Sequence, residues 1–141
     1  MQLLTAAFRE LLDTLKLDVL LIDTHPGLNE ETLFALAIAS GLAIVLRPDQ
    51  QDYEGTGVVL GVARALDVPQ MRLVVNKAPS DSDMLSIKTH VEQTFDCPVA
   101  AVLPHSDEMM KLASSDIFVL RYPSHPLTAA LRDVTAQLFG T

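Results

Sequence analysis

The residues of this chain best suited to chemistry cluster in one stretch, LDVLLIDTHPGLNEET, from Leu17 to Thr32. An apolar run ends in Asp23, and a loop containing Gly27 leads into a segment that opens with Glu30 and Glu31. This is the Walker B pattern. A strand that ends in a carboxylate holds it rigidly at the edge of a sheet, where it can orient a water on Mg²⁺ beside a nucleotide phosphate. The Gly27 amide can approach a terminal phosphate with no side chain in the way. The same pattern also fits a carboxylate that simply ends a strand and caps a turn. A second stretch, RLVVNKAPSD from Arg72 to Asp81, ends an apolar run with Asn76 and Lys77. An amide that both donates and accepts suits an adenine edge, although a turn asparagine reads the same way.

Other chemistries lack their residues. A phosphate-cradling loop needs G-x-x-x-x-G-K-[ST] after a strand. The glycines here are Gly27, Gly41, Gly55, Gly57, Gly61 and Gly140, and none precedes a lysine. The run from Gly55 to Leu60 misses G-x-G-x-x-G because Leu60 stands at the third glycine position. Its place in or before a helix suggests close packing instead. His25, His90, His105 and His125 have no metal-ligand spacing, though His25 and His105 fall on loops expected at the ligand edge. No G-x-S-x-G elbow is present. Cys97 is the single cysteine, which excludes a disulfide framework and a cysteine-cluster zinc site. It precedes Pro98 at an expected strand start and reads as buried rather than reactive.

These residues need elements to position them, and two patterns alternate along the chain. Amphipathic or capped helices are expected over about 2–16, 30–39, 51–66 and 80–95, with a short one from Ser106 and a last one reaching about Phe139. Apolar, strand-like runs fall at Val19–Ile22, Leu42–Leu46, Met71–Val75 and Val99–Leu103, with a possible short edge strand at Ile117–Leu120. Runs apolar on both faces and separated by helices imply a parallel sheet covered on both sides. Ligands of such sheets bind beyond the carboxyl ends of the strands. Asp23, Arg47-Pro48-Asp49, Asn76-Lys77 and Pro104-His105-Ser106 all fall there.

Composition narrows the choices further. The 141 residues carry a formal charge of −8, so nucleic-acid binding by this chain alone is not expected. Apolar residues make up 49 % and aromatics 5 %, which requires an aliphatic core and argues against base-stacking platforms. The first stretch is an interrupted amphipathic helix and not a signal peptide. The longest uncharged run, Thr32 to Leu46, falls short of the roughly 20 residues that span a bilayer. A cytoplasmic location is the expectation.

Taken in order, LLIDTHPGLNEETL, IVLRPDQQDYEGT, LVVNK and VAAVLPHSDEMM resemble the C-terminal portion of the MinD/ParA-family ATPases, which carry a deviant Walker A motif. The bacterial MinD-like subgroup is the nearest in pattern, and the resemblance runs from about Gln2 to Phe139. It implies a three-layer α/β domain with a mostly parallel sheet, here one truncated domain over residues 1–141. It gives Asp23 the Walker B role, holding Mg²⁺ through water, and makes Thr24 to Gly27 the loop that senses the γ-phosphate. Asn76 is similar to the family's adenine-reading residue. Pro104, His105 and Ser106 match the segment flanking the purine, and Lys77 borders the base.

The resemblance further implies ATP or ADP with Mg²⁺ as ligands of a complete protein that dimerises on ATP and positions division, plasmid or chromosome cargo. A homodimer, a complementing N-terminal half and a partner protein of the positioning system are the expected partners. The family's phosphate-binding strand would lie between the Asp23 strand and Leu42–Leu46, upstream of these residues. Without its lysines this chain is not expected to hydrolyse ATP alone. No basic amphipathic tail follows Phe139-Gly140-Thr141, so membrane targeting is not expected either. Two other readings stay open. One is a non-catalytic dimerisation or partner-binding module. The other is an unrelated doubly wound domain whose Asp23 edge holds a different small ligand.

Overall fold

A computed structural model describes residues 2–140, with side chains from residue 5 onward. Three strands form the sheet: β1 (Leu42–Leu46), β2 (Met71–Ala78) and β3 (Val99–Pro104). They pair in the order β1-β2-β3, parallel throughout, with Leu42 opposite Met71 and Leu73 opposite Val99. Helices α1 (Gln2–Leu15) and α2 (Glu30–Ile38) precede the sheet. Then α3 (Gln50–Ala65) and α4 (Met84–Phe95) connect the strands, and α5 (Asp107–Leu112), α6 (Phe118–Arg121) and α7 (Pro126–Phe139) follow them.

The central strand shows why the sheet is buried on both faces. Leu73 and Val75 point to one side, into a core with Leu46, Leu60, Val91, Phe95 and Val99. Val74 points to the other, into a core with Ala100, Leu103, Phe118 and Leu127. Alternate residues of a strand face opposite sides, so an all-apolar run needs cover on both. Helices α3 and α4 supply it on the first face, and α6 and α7 on the second. A third cluster seats α2 on the end of α3 through Leu36, Ala63 and Val68. Cys97 is buried and free, and burial pushes its thiol pKa up.

The helix starts follow their local chemistry. Asn29, Asp49 and Ser106 each accept a hydrogen bond from the amide three residues on, and Asp83 accepts from Leu85. His125 caps α7 through an imidazole nitrogen, 3.1 Å from the Leu127 amide, with Pro126 in the first turn.

Two expectations are corrected. Val19–Ile22 forms no strand. Residues 19–23 adopt no regular secondary structure and make no backbone hydrogen bond among the described residues. Leu21 is 80 % exposed, and Val19 and Ile22 are exposed as well. The run has the right residues for a strand, but no neighbour to pair with lies within the described residues. The second correction is Ile117–Leu120, which enters a helical turn rather than an edge strand. That turn drives Phe118 into the core beside Tyr122 and His125, with ring centroids 5.1 and 5.2 Å away. A four-residue apolar run has no period of its own, so packing decided its form. Among the described residues no helix is long and apolar enough to cross a membrane.

Candidate functional site

The polar residues expected at the carboxyl ends of the strands form two groups. The first surrounds a cavity of about 1160 Å³. One wall is residues 18–27, carrying Asp23, Thr24, His25, Pro26 and Gly27, and the other is the strand edge from Leu42 to Val45. Thr32 of α2 and Gln51, Asp52, Gly55 and Thr56 of α3 close the space. Gly27 has φ +95°, a backbone conformation that L side chains rarely adopt, and open space lies around it. Two residues on, Asn29 starts α2 with its side-chain oxygen 2.8 Å from the Thr32 amide. Glu30 and Glu31 in the first turn complement the helix dipole. Gly27 and Asn29 thus fix how the chain leaves Asp23. Asp23 itself is exposed and makes no hydrogen bond or ion pair among the described residues.

The second group lies at the ends of β2 and β3. Ala78 and Pro104 are paired, and the His105 amide donates to the Ala78 carbonyl at 2.9 Å. This brings Asn76 and Lys77 to the strand end next to Pro104, His105 and Ser106. Asn76 is half-buried, and its side-chain oxygen accepts from the Lys77 amide at 2.9 Å. Lys77 has φ +56°. Ser106 accepts from the Met109 amide at 3.2 Å and donates to Glu108 at 2.9 Å. His105 Nε2 sits 3.4 Å from Asp107. None of these residues lines the cavity around Asp23. Sheet order sets the two groups on one edge with β1 toward the first and β3 toward the second.

Sequence reasoning passed over two features of the first group. At the end of β1, the Arg47 guanidinium is held by Asp49 at 3.2 Å and by Asp52 at 3.2 and 3.3 Å. Asp52 also accepts the Arg47 amide at 2.7 Å. These bonds hold the Asp52 carboxyl below its ordinary pKa and raise that of Arg47. The spacing Arg47, Asp49, Asp52 carried the signal, since a strand end followed by a helix start brings these positions together. The other feature is Thr32, buried, with its hydroxyl oxygen unpartnered. The close packing expected of the Gly55–Leu60 run holds at Gly57, whose added Cβ would touch Phe95 at 3.9 Å, and not at Gly55, which faces open space.

The residues present fit a magnesium ion in one way only. No cluster of three His, Cys, Asp or Glu side chains converges among the described residues. An ion at Asp23 would take its remaining oxygens from water and phosphate, the usual donors for Mg²⁺ when one carboxylate is available. A triphosphate on its own does not fit. The ionised side chains lining the cavity are Asp18, Asp23 and Asp52 against Arg9. Phosphate charge needs backbone amides and cations aimed at it.

Comparison with known proteins bears on the fold. No family model matches the chain. An uncharacterized ATP-binding protein of Methanocaldococcus jannaschii is 27 % identical over 124 residues, covering 87 % of this chain and 47 % of that protein. The MinD cell division protein of Aquifex aeolicus superposes with a TM-score of 0.82 at 15 % identity, over 97 % of this chain and 59 % of that one. A ParA family ATPase from Chlorobium tepidum gives 0.60 at 17 % identity, over 79 % and 46 %. The chain therefore spans about half the length of the relatives it matches. Its parallel α/β fold resembles those of these two structures, and its 141 residues contain no Gly-Lys-Ser/Thr loop.

Proposed function

We propose that this chain supplies one part of an ATP- and Mg²⁺-dependent switch of the MinD/ParA type. In this reading Asp23 orients water on Mg²⁺, Thr24 and the Gly27 amide meet the γ-phosphate, and Asn76 with Pro104, His105 and Ser106 borders the adenine. The triphosphate is held by a lysine-bearing Gly-rich loop outside these 141 residues. Bound ATP then drives dimerisation, and the dimer positions division, plasmid or chromosome cargo with a partner protein. The observation that carries the reading is the Asp23–Gly27 loop set in a cavity against the open edge of β1. Its charge supports the division of labour: Asp52 is paired with Arg47, Asp18 and Asp23 stand against Arg9, and the lining therefore carries no excess positive charge for a triphosphate.

Catalysis of phosphoryl transfer is chiefly positioning and charge neutralisation. A chain with the Walker B carboxylate and no phosphate lysine is therefore expected to show no ATP turnover alone. Phosphate release from the purified chain with Mg²⁺ and ATP is the assay. Turnover that scales with this chain and vanishes in Asp23→Ala would overturn the proposal.

A further inference from the structure

Arg47 follows the last residue of β1, at the end of the strand where parallel sheets bind ligands. Two carboxylates occupy its guanidinium. Asp49 meets Nε at 3.2 Å, and Asp52 meets Nε at 3.3 Å and Nη2 at 3.2 Å. Asp52 also lines the cavity that holds Asp23, so the cation stands one ion pair behind that wall. Arg9, from α1, is the one cation among the described lining residues.

Both carboxylates have anchors besides the guanidinium. Asp52 accepts the Arg47 amide at 2.7 Å, and Asp49 accepts the Asp52 amide at 3.0 Å as the cap of α3. These backbone bonds already fasten the strand end to the helix start. The guanidinium duplicates that fastening and can leave without undoing it. Little opposes its leaving, because the Arg47 side chain is 52 % exposed and exposed ion pairs contribute little to stability. Its planar fork matches a phosphate as well as a carboxylate, and its long stem lets the head swing while β1 stays in place.

We propose that the Arg47–Asp52 pair is a latch on the candidate site. Arg47 is a phosphate-binding cation held off by Asp52, and it turns to a polyphosphate that enters the cavity. The guanidinium exchanges one anion for another, and Asp52 stays tied to the Arg47 amide. Recognition of this kind needs neither base nor sugar. The inference rests on the nucleotide reading only in placing phosphate at this cavity. It adds a cation from within these 141 residues, and it gives a reason for the chain alone to bind no triphosphate.

The test titrates tripolyphosphate, without Mg²⁺, into the full 141-residue chain. Calorimetry gives the affinity, and NMR follows the Arg47 Nε–H resonance. Asp52→Asn should bind about tenfold or more tighter than wild type and shift that resonance. Asp18→Asn removes the same charge from the lining and leaves the latch closed, so its gain should stay within about twofold. Arg47→Gln in the Asp52→Asn background should abolish the gain, and Arg47→Lys should keep part of it. Equal gains for Asp52→Asn and Asp18→Asn would reduce the effect to net charge and overturn the latch. An Arg47 resonance that does not move in Asp52→Asn would overturn it as well. An open latch in Asp52→Asn, with no ATP bound even when a lysine-bearing Gly-rich loop is supplied, would refute the nucleotide reading alone. ATP binding by that mixture with no gain from Asp52→Asn would refute the latch alone.

Discussion

The two outer strands of the sheet face opposite situations. At β3 the Val99 amide donates to the Glu92 carboxylate at 2.9 Å, and the Ala100 carbonyl accepts from the Gln137 side chain at 3.1 Å. Helix α7 packs along this strand through Leu127 and its neighbours. At β1 no described side chain reaches the free backbone, and Val45 stands in the open. Proteins usually cover or blunt an edge strand, since a bare one invites pairing. One edge is covered by this chain's own residues, and the other is left uncovered by the described residues.

That contrast is open to mutation. The largest effect is expected at Leu73, fully buried in the central strand. Leu73→Ala should cost about 2–5 kcal/mol in denaturant unfolding. Val45→Ala on the open edge should stay within about 0.5 kcal/mol. Similar losses at both positions would erase the contrast. Next comes the finished edge. Glu92→Ala leaves the buried Val99 amide unpaired, and about 1–3 kcal/mol should be lost. The cap of α7 follows, at about 1 kcal/mol for His125→Ala. His125→Asn separates the cap from the ring contacts with Phe118 and Tyr122, and it should recover the capping part.

The smallest effect belongs to the Arg47–Asp52 pair at the end of β1. The folded pKa of Asp52 lies below its unfolded value, so its contribution is present above the unfolded pKa of about 4. It is lost as pH falls through the folded value. Asp52→Asn should therefore flatten the acid limb of a stability–pH curve slightly and leave neutral pH almost unchanged. High salt should shrink the difference further, because the pair is largely exposed.

Much of the fold is readable from local pattern. The runs at Leu42, Met71 and Val99 become strands because each is apolar on both faces and each has a partner in the chain. Asn29, Ser106 and His125 stand at helix starts where their side chains accept backbone amides. Val19–Ile22 has the same composition as those strands, and it fails for a reason no local pattern contains. A strand is defined by its neighbour, and none lies beside residues 19–23 in the described structure. Ile117–Leu120 fails differently, because a single turn of helix buries Phe118 better than an added edge strand would.

The candidate site is legible to a similar degree. Residue types name Asp23, Asn76 and the Pro104 segment. Only the sheet order tells that they form two groups. The Arg47, Asp49 and Asp52 network follows from spacing across a strand end and a helix start, whereas the orphan hydroxyl of Thr32 depends on where α2 packs, which spacing alone does not reveal.

The most direct measurement is a calorimetric titration of ATP with Mg²⁺ into this chain, alone and mixed with a polypeptide bearing an aliphatic strand and a lysine-containing Gly-rich loop of the MinD/ParA type. The account predicts no binding heat for the chain alone and saturable binding for the mixture that is lost in Asp23→Ala. Saturable Mg²⁺-dependent ATP binding by the chain alone would contradict it.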